Sequence, residues 1–303
     1  MYKLILCVNN HIGVMIMRRK VLMAKRKRDF NDAIIENRIK EGRGKGESFE
    51  YKPWLTVRDV SSLGVSSEIL GWKTSRVHHL LSKLEAKYFF SLEWSPIVID
   101  IREQFPLLDA NDKYEETLEI AAEMGIRHPT IPGTANNIVL TSDFVITIET
   151  DKERIIKART IKYEKDLSDL RTLQKLEIER LYWERRKIDW KIVTDKDVND
   201  ILSYNVELIH NYRALSGLSL DLAKITFIEK KLKDELYNNV IGIADLAQRV
   251  DETIAEKAGT SLAVIKYLIA NKIWELNMNE KFSTERPLII TKFNNLTESQ
   301  EVI

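Results

Sequence analysis

Residues 140–162 read LTSDFVITIETDKERIIKARTIK, and they hold two apolar stretches joined by the polar turn TDKE. Because side chains alternate along a β-strand, Asp143 shares a face with Val145 in the first stretch, and Thr160 shares a face with Lys162 in the second. The polar turn permits a hairpin, which would bring Asp143 to the same face as Thr160 and Lys162. An aspartate and a lysine that face each other in an apolar strand pair require a chemical explanation.

Segments on both sides of this hairpin predict a compact α/β domain with a mixed sheet over residues 51–194. In chain order, the periodicities predict a helix over 77–93, a strand over 96–101, a helix over 112–126, the hairpin, a helix over 168–188 and a strand over 189–194. In the long helix over 168–188, the expected core side consists of Leu170, Leu173, Leu176 (or Glu177), Ile178 and Leu181.

Glu85 falls on or beside the apolar stripe of the first predicted helix. That stripe runs through Leu81, Tyr88, Phe89 and Leu92. An unpaired carboxylate at such a position is costly. It could reach water at the edge of the stripe, or pair with a lysine or arginine. Alternatively, Glu85 belongs with Asp143 and Lys162 in one functional site.

The pattern becomes helical from about residue 195, so residues 195–303 form the predicted second domain. A helix over Ala244–Lys257, a turn at Gly259, a helix over Ser261–Asn271 and two strands joined by a polar loop are typical of a winged helix-turn-helix module. Such modules bind DNA or dock other proteins, and the pattern leaves both functions open.

The N-terminal 50 residues precede the predicted domains. Residues 1–22 place an apolar segment before a basic cluster, the reverse of the order in a signal peptide. We interpret them as an upstream extension of a natural start at Met23, with a short docking segment as the alternative. Residues 23–50 are basic and contain glycines, which suits an arm along a DNA backbone that includes Arg43 and Lys45. The alternative is a solvated arm.

Composition excludes several other classes of protein. Lys+Arg number 47 and Asp+Glu 46, so the net charge of +1 does not by itself indicate a nucleic-acid-binding protein. The single Cys7 excludes an intramolecular disulfide and a cysteine-based zinc site, and it fits the reducing cytoplasm of a bacterium. No apolar run reaches the roughly 20 residues that span a bilayer, so no membrane partner is expected.

Glu85, Asp143 and Lys162 are residue types that phosphodiester hydrolysis requires. A divalent ion neutralises the phosphate oxygens, a water molecule is activated, and a cation helps to hold that water or the developing charge. Mg²⁺ prefers oxygen ligands and keeps some of its waters. Two carboxylates and the backbone carbonyl of Ile161 would suffice as protein ligands, with Lys162 as the cation.

The spacing of these residues resembles the PD-(D/E)xK nuclease core, in which acids lie on a helix and a strand and a lysine ends the next strand. Longer segments resemble the TnsA endonuclease family of heteromeric transposases. These segments are RIKEGRGKG, YKPWLTVRDV, SRVHHLLSKLE, IDIREQFPLL, TSDF and RTLQKLEIERLYW. The resemblance covers roughly residues 30–195 and continues more loosely through the C-terminal domain, while residues 1–22 have no counterpart.

The resemblance implies a restriction-endonuclease-like fold and a metal-dependent endonuclease that nicks DNA at the 5′ ends of a transposon. Its catalytic residues fall on Glu85, Asp143 and Lys162. Its metal ligands fall on Glu85, Asp143, Thr160 and Ile161, with Mg²⁺ as the implied ion and Mn²⁺ as a possible substitute.

Two positions depart from the family pattern. Thr160 is neutral where the family carries an acid or amide, and Ser95 stands where an acid is expected. Glu103 and Glu149 are the acids that could compensate.

The implied partners are the DNA of the transposon ends, a DDE-type transposase subunit, TnsB, that cuts and joins the 3′ ends, and an AAA+ ATPase regulator, TnsC. Because the family's C-terminal domain contacts TnsC, the predicted winged helix is favoured as a docking module.

Three further side chains are candidates for contact with DNA. Arg102 and Gln104 leave a strand end near the site, where they could contact phosphate or support the site. His128 could touch DNA or make a structural hydrogen bond.

Two other functions remain as alternatives. A stand-alone restriction-type endonuclease would share the same core and cut naked DNA with Mg²⁺. A non-enzymatic winged-helix DNA-binding or adaptor protein would not need Asp143.

Overall fold

In the computed structural model, the described residues are 33–60, 65–215, 220–238 and 240–295. They form two compact units. The first holds the described residues up to Glu85 together with Pro96–Asp195, and the second holds Ala86–Ser95 together with the described residues from Lys196 onward. The predicted upstream extension and residues 23–32 of the predicted arm lie outside the described residues. Across the described ranges, no helix is long and apolar enough to cross a membrane.

A short hairpin precedes the first long helix. Residues 33–40 form helix α1, strand β1 (Ser67–Leu70) pairs antiparallel with β2 (Val77–Leu80), and α2 covers Lys83–Trp94. The helix predicted over 77–93 is therefore wrong in its first residues. Burial alternates along β2, so this stretch follows the two-residue period of a strand, and its pairing with β1 supplies the backbone hydrogen bonds.

A four-stranded mixed sheet forms the centre of the first unit. Its strands, in spatial order, are β3 (Val98–Pro106), β4 (Thr141–Glu149), β5 (Arg154–Lys162) and β6 (Asp189–Thr194). The β3–β4 and β4–β5 pairs are antiparallel, and β5–β6 is parallel. The predicted mixed sheet and hairpin are confirmed, and β3 runs farther than its predicted strand because it pairs with β4 as far as Pro106.

Two helices, α3 (Glu115–Glu123) and α4 (Leu170–Arg185), belong to the same unit. The core on this part of the sheet consists of Leu107, Ile120, Ala121, Val145, Ala158, Ile178, Tyr182 and Trp183. Asp169 caps α4 by accepting a 2.7 Å hydrogen bond from Thr172 N–H. The expected core side of this helix is partly wrong, because Leu170 and Leu173 are exposed and Glu179 is buried.

The second unit is mainly helical. It contains α5 (Asp200–His210), α6 (Leu222–Asn238), α7 (Ile243–Thr253), α8 (Thr260–Ala270) and the antiparallel strands β7 (Trp274–Leu276) and β8 (Ile290–Phe293). The predicted order of two helices followed by two strands is therefore present.

A tight turn joins α7 to α8. Gly259 has φ 91°, in the left-handed region that favours glycine, and it begins α8. The Asp251 carboxylate accepts hydrogen bonds from Gly259 N–H and Ser261 N–H, both at 2.8 Å. Every residue of α8 is buried or half-buried, so this helix lies in the core of its unit.

Candidate active site

The open end of the β4–β5 hairpin brings Asp143 and Lys162 together. The strand register ends at the pair Phe144–Arg159, and beyond it Asp143 Oδ2 accepts a 2.6 Å hydrogen bond from Ile161 N–H. Lys162 Nζ donates to Asp143 Oδ2 at 3.0 Å and to the Ile161 carbonyl at 2.8 Å. Burial favours the neutral amine, but the charge of Asp143 outweighs it and holds the pKa of Lys162 above its ordinary value.

Glu85 lies in the first turn of α2, where its backbone and side chain both take part in the start of the helix. Its N–H donates to Ser82 Oγ at 3.1 Å, and its Oε2 accepts from Leu81 N–H at 3.0 Å. This reciprocal arrangement is similar to a capping box. Burial and the nearby charge of Asp143 raise the pKa of Glu85 above its usual range.

Gln104 connects Glu85 to the sheet. Its Nε2 donates to Glu85 Oε2 at 3.2 Å, and its Oε1 accepts from Thr141 Oγ1 at 3.3 Å. Gln104 has φ 49°, a left-handed conformation that costs about 1–3 kcal/mol in a non-glycine residue. The buried side chain and its hydrogen bond to Glu85 fit the prediction that Gln104 supports the site, which stays a prediction.

Glu179 is a second buried carboxylate at the site, and the sequence analysis missed it. It lies on α4, and its Oε1 accepts hydrogen bonds from Ser142 Oγ at 2.6 Å and from Thr160 Oγ1. Burial, together with the charge of Asp143, raises the pKa of Glu179 to about 7.

Two tryptophans fix the hydroxyl groups that contact Glu179. Trp190 Nε1 donates to Thr160 Oγ1 at 3.1 Å, and Trp183 Nε1 donates to Ser142 Oγ at 2.7 Å. Thr160, a predicted metal ligand, therefore directs its hydroxyl to Glu179.

A sequence signal for Glu179 does exist. Glu179 follows Leu176 by three residues and precedes Trp183 by four, so all three share one helix face.

The two acids considered as compensation for Thr160 are engaged elsewhere. Glu103 is buried and receives hydrogen bonds from both terminal nitrogens of Arg76 at 2.8 and 2.6 Å, and its carboxylate lies 2.7 Å from His78 Nδ1. Glu149 lies at the exposed end of β4, 2.7 Å from Arg154 Nε. Glu179 is thus the acid that stands beside Thr160.

Two of the predicted DNA contacts are buried in addition to Gln104. Arg102 Nε lies 3.2 Å from Asp100 Oδ2, and its NH2 donates to Thr147 Oγ1 at 3.3 Å. The His128 ring lies 3.0 Å from Thr117 Oγ1, and burial lowers its pKa. Burial argues against contact with DNA for both side chains and for Gln104, and it favours the structural alternative for His128.

The two remaining predicted DNA contacts lie within ion pairs. Arg43 NH1 donates to Asp59 Oδ2 at 2.7 Å, and Lys45 Nζ donates to Asp112 Oδ2 at 2.6 Å. Contact of Arg43 and Lys45 with DNA stays a prediction.

A cavity of ≈ 600 Å³ lies at the open end of the β4–β5 hairpin, and its lining includes Asp143, Thr160, Lys162 and Glu179. Within the described ranges, no three or more His, Cys, Asp or Glu side chains are grouped to hold a metal ion. The oxygens of Glu85, Asp143 and the Ile161 carbonyl are nevertheless the hard donors that Mg²⁺ prefers. Burial, and after it the charge of Asp143, raises the pKa values of Glu85 and Glu179, and a divalent cation bound beside them would favour their ionised forms.

Two sequence families match consecutive parts of the chain. Residues 95–195 match the family described as TnsA-like endonuclease N terminal, and residues 197–278 match TnsA endonuclease C terminal. The chain is also 38% identical over 282 residues to the Transposon Tn7 transposition protein TnsA of Escherichia coli. The aligned region covers 92% of this chain and 99% of that protein.

The chain belongs to the TnsA endonuclease family.

Membership in the TnsA family makes the chain an endonuclease subunit of a transposition system. It supports this function over a stand-alone restriction-type endonuclease and over a non-enzymatic adaptor. It also confirms the resemblance found in the sequence, and the TnsA similarity extends over nearly the whole chain.

Proposed function

We propose that this TnsA-family chain hydrolyses one phosphodiester at each 5′ end of a transposon, with Asp143, Lys162 and Glu85 as its catalytic residues. The observation that carries the proposal is the contact of Lys162 Nζ with Asp143 Oδ2, in a site where the buried carboxylates of Glu85 and Glu179 lie near enough for their charges to act on Lys162. The Escherichia coli relative is a transposition protein, which supports the transposon end as substrate.

Mg²⁺ is the proposed ion, and Mn²⁺ could replace it. Glu85, Asp143 and the Ile161 carbonyl would hold it, and when bound it supplies positive charge to the phosphate oxygens and lowers the pKa of water. Lys162 holds the attacking water or stabilises the charge that develops on the phosphate. Gln104 keeps Glu85 oriented by hydrogen bonds to both Glu85 and Thr141.

Glu179 has a positioning function in this proposal. It fixes the Thr160 hydroxyl and places a second acid near Asp143, where the family pattern has an acid or amide at position 160 itself. This arrangement offsets the neutral side chain of Thr160. It also predicts that Glu179→Gln weakens divalent-ion binding while the fold is kept.

Strand-resolved cleavage tests the proposal. Transposon-end DNA is incubated with the full chain, the DDE-type partner TnsB and Mg²⁺, and 5′ and 3′ cuts are counted separately. Asp143→Ala and Lys162→Ala should each abolish 5′ cuts and leave 3′ cuts intact, while the matched surface variant Glu149→Gln keeps both. If both site variants retain 5′ cuts, the proposed site is wrong. Cutting of naked DNA without the partner would instead identify a stand-alone nuclease.

The second unit is proposed to be a winged-helix module that docks protein partners, with the ATPase regulator TnsC as the proposed partner. The support is the burial of α8, since the second helix of a DNA-reading module must expose side chains to a groove. Lys266, a half-buried residue of α8, lies 3.4 Å from Tyr212 Oη. Lys266→Gln in the full chain should leave duplex affinity unchanged in fluorescence anisotropy. A marked loss of affinity would favour DNA reading by α8.

A further inference from the structure

One wall of the catalytic cavity carries two lysines that the proposed chemistry does not use. Helix α4 lines the cavity with Asp169, Thr172, Lys175 and Glu179, which recur at helical spacing. Lys175 therefore lies one turn closer to the helix start than the buried Glu179. Lys165 lines the same cavity from the short 3₁₀ helix Glu164–Ser168, directly after β5.

These two lysines differ from the catalytic lysine in their surroundings. Both are exposed, and among the described residues no acidic side chain lies within ion-pair distance of either ammonium group. Lys162, in contrast, lies 3.0 Å from Asp143. Lys165 Nζ lies 5.5 Å from the ring centre of Tyr163, an exposed aromatic residue. The two ammonium groups are thus available to a ligand.

The acids of the same wall are mostly held by contacts inside the chain. Asp169 Oδ2 accepts hydrogen bonds from Thr172 N–H at 2.7 Å and from Thr172 Oγ1 at 2.8 Å. Glu179 accepts from two hydroxyl groups at the floor of the cavity. Asp166 and Asp169 are the exposed acids of the wall, and their negative charges partly offset the positive charges of Lys165 and Lys175.

We propose that Lys165 and Lys175 form a subsite for the DNA phosphate next to the scissile phosphate on the cleaved strand. The inference rests on the proposed function, because the catalytic residues at the floor of the cavity place the scissile phosphate. Successive phosphates along a strand carry one negative charge each, so a cavity that takes one phosphate brings its neighbour to the wall. Contacts of this kind set the position of the strand and carry no sequence information.

The test combines charge removal on the protein with charge removal on the DNA. The full chain, its transposase partner and Mg²⁺ cleave two sets of transposon-end probes, one natural and one with a neutral methylphosphonate at either phosphate beside the 5′ cut. Lys165→Gln and Lys175→Gln should each slow 5′ cleavage about tenfold on natural DNA, the order expected for one lost charge-assisted hydrogen bond. With the correct methylphosphonate probe, wild type and variants should cleave at the same reduced rate.

Salt dependence gives a second readout that a structural function would not change. Replacing a lysine that contacts phosphate should make the fall of log rate with log salt less steep. The slope should change by about 0.9 on duplex DNA, or by about 0.7 on a single strand. Lys175→Arg should retain cleavage, and Asp166→Asn should raise the rate at moderate salt. Lys152→Gln, an exposed lysine in the β4–β5 turn, is the matched control and should match wild type.

Two results would overturn the subsite. One is wild-type cleavage by the Lys165→Gln, Lys175→Gln double variant. The other is an equal loss on natural and on both neutral probes, which would mean that the lysines act through structure. Either result leaves the proposed function standing if Asp143→Ala still abolishes 5′ cuts, whereas 5′ cuts by Asp143→Ala would overturn the proposed function itself.

Discussion

Glu103 and Glu179 are both buried glutamates of the first unit, yet their environments shift their pKa values in opposite directions. Burial alone would raise the pKa of Glu103, but the charges of His78 and Arg76 and their hydrogen bonds hold it well below its ordinary value. Glu179 accepts hydrogen bonds from neutral groups, among them the hydroxyls of Ser142 and Thr160, and burial raises its pKa to about 7.

The difference separates a structural carboxylate from one that fits a reaction site. Each charge at Glu103 is matched by an opposite charge within the chain, so the cluster holds β2 against β3. Glu85 and Glu179 have no ion-pair partner among the described residues, and burial and the charge of Asp143 raise both pKa values despite the nearby charge of Lys162. Buried acids whose pKa is raised are therefore better markers of this site than buried acids in general.

The largest expected effect comes from removing charge at the centre of the cavity. Asp143→Asn should reduce 5′ cleavage by at least about 10³-fold, because a ligand for the proposed ion and the partner of Lys162 are lost together. Its free energy of unfolding in urea should stay within about 1 kcal/mol of wild type. A large loss of stability would mean that Asp143, like Glu103, is a structural carboxylate.

A substitution at Glu103 tests the buried ion-pair cluster of Glu103, Arg76 and His78. Glu103→Gln leaves Arg76 and His78 buried without their carboxylate, and it should lower the free energy of unfolding by about 3–5 kcal/mol. Urea unfolding measures this loss. Glu149→Gln removes a carboxylate from an exposed ion pair and should change stability by less than about 1 kcal/mol. Similar losses in the two variants would contradict the comparison.

The pH dependence of stability distinguishes the two glutamates further. The pKa of Glu179 is about 7 in the folded chain against 4.5 unfolded, so its contribution to stability is fully present below about pH 4.5 and is lost as the pH rises through about 7. The full shift corresponds to roughly 3 kcal/mol. In thermal unfolding with a chelator present, Glu179→Gln should make the decline in stability between pH 5 and pH 8 smaller, and the part due to Glu85 should remain.

The effect of divalent ions on the unfolding temperature tests the same carboxylate in its ionised form. At pH 8, addition of Mg²⁺ should raise the unfolding temperature of wild type, because an ion that binds only the folded chain stabilises it. The increase should be smaller in Glu179→Gln. An equal increase in both proteins would show that Glu179 does not contribute to the charge of the ion site.

Gln104 should give the smallest effect. Asparagine tolerates the left-handed backbone but is one methylene shorter, so Gln104→Asn should lose the bridge between Glu85 and Thr141. We expect about tenfold slower 5′ cleavage and a stability change below about 1 kcal/mol. Gln104→Gly relieves the backbone and removes the bridge, so equal cleavage by the two variants would assign the effect to the side chain.

The β4–β5 hairpin was predictable because its signal is local. Alternating apolar residues on both sides of a short polar turn define the strands, and they place Asp143 and Lys162 at the same open end of the hairpin. Glu85 was predictable for a similar reason, since it interrupts an apolar helical stripe. In each case the cost of burying a charge identifies the residue without knowledge of distant contacts.

Glu179 and β2 depended on contacts that the sequence does not display. Leucines lie on two sides of α4, and the sheet decides which side is buried, so Leu170 and Leu173 were misplaced and Glu179 was missed. The residues of β2 fit a helix start equally well. Pairing with β1 and the contact of His78 with Glu103 select the strand.

The position of the Lys162 ammonium has a consequence for accidental DNA damage. Its charge is already satisfied by Asp143 and the Ile161 carbonyl, so an arriving phosphate must compete with two oxygens of the protein for it. In a brief encounter with chromosomal DNA, few other contacts would compensate for the loss of the hydrogen bonds from Lys162 to Asp143 and Ile161. A strand held in place by a transposition complex keeps its phosphate beside Lys162 for longer. In the proposed mechanism, the same lysine that promotes the intended cut would therefore restrain stray cutting while the site is at rest.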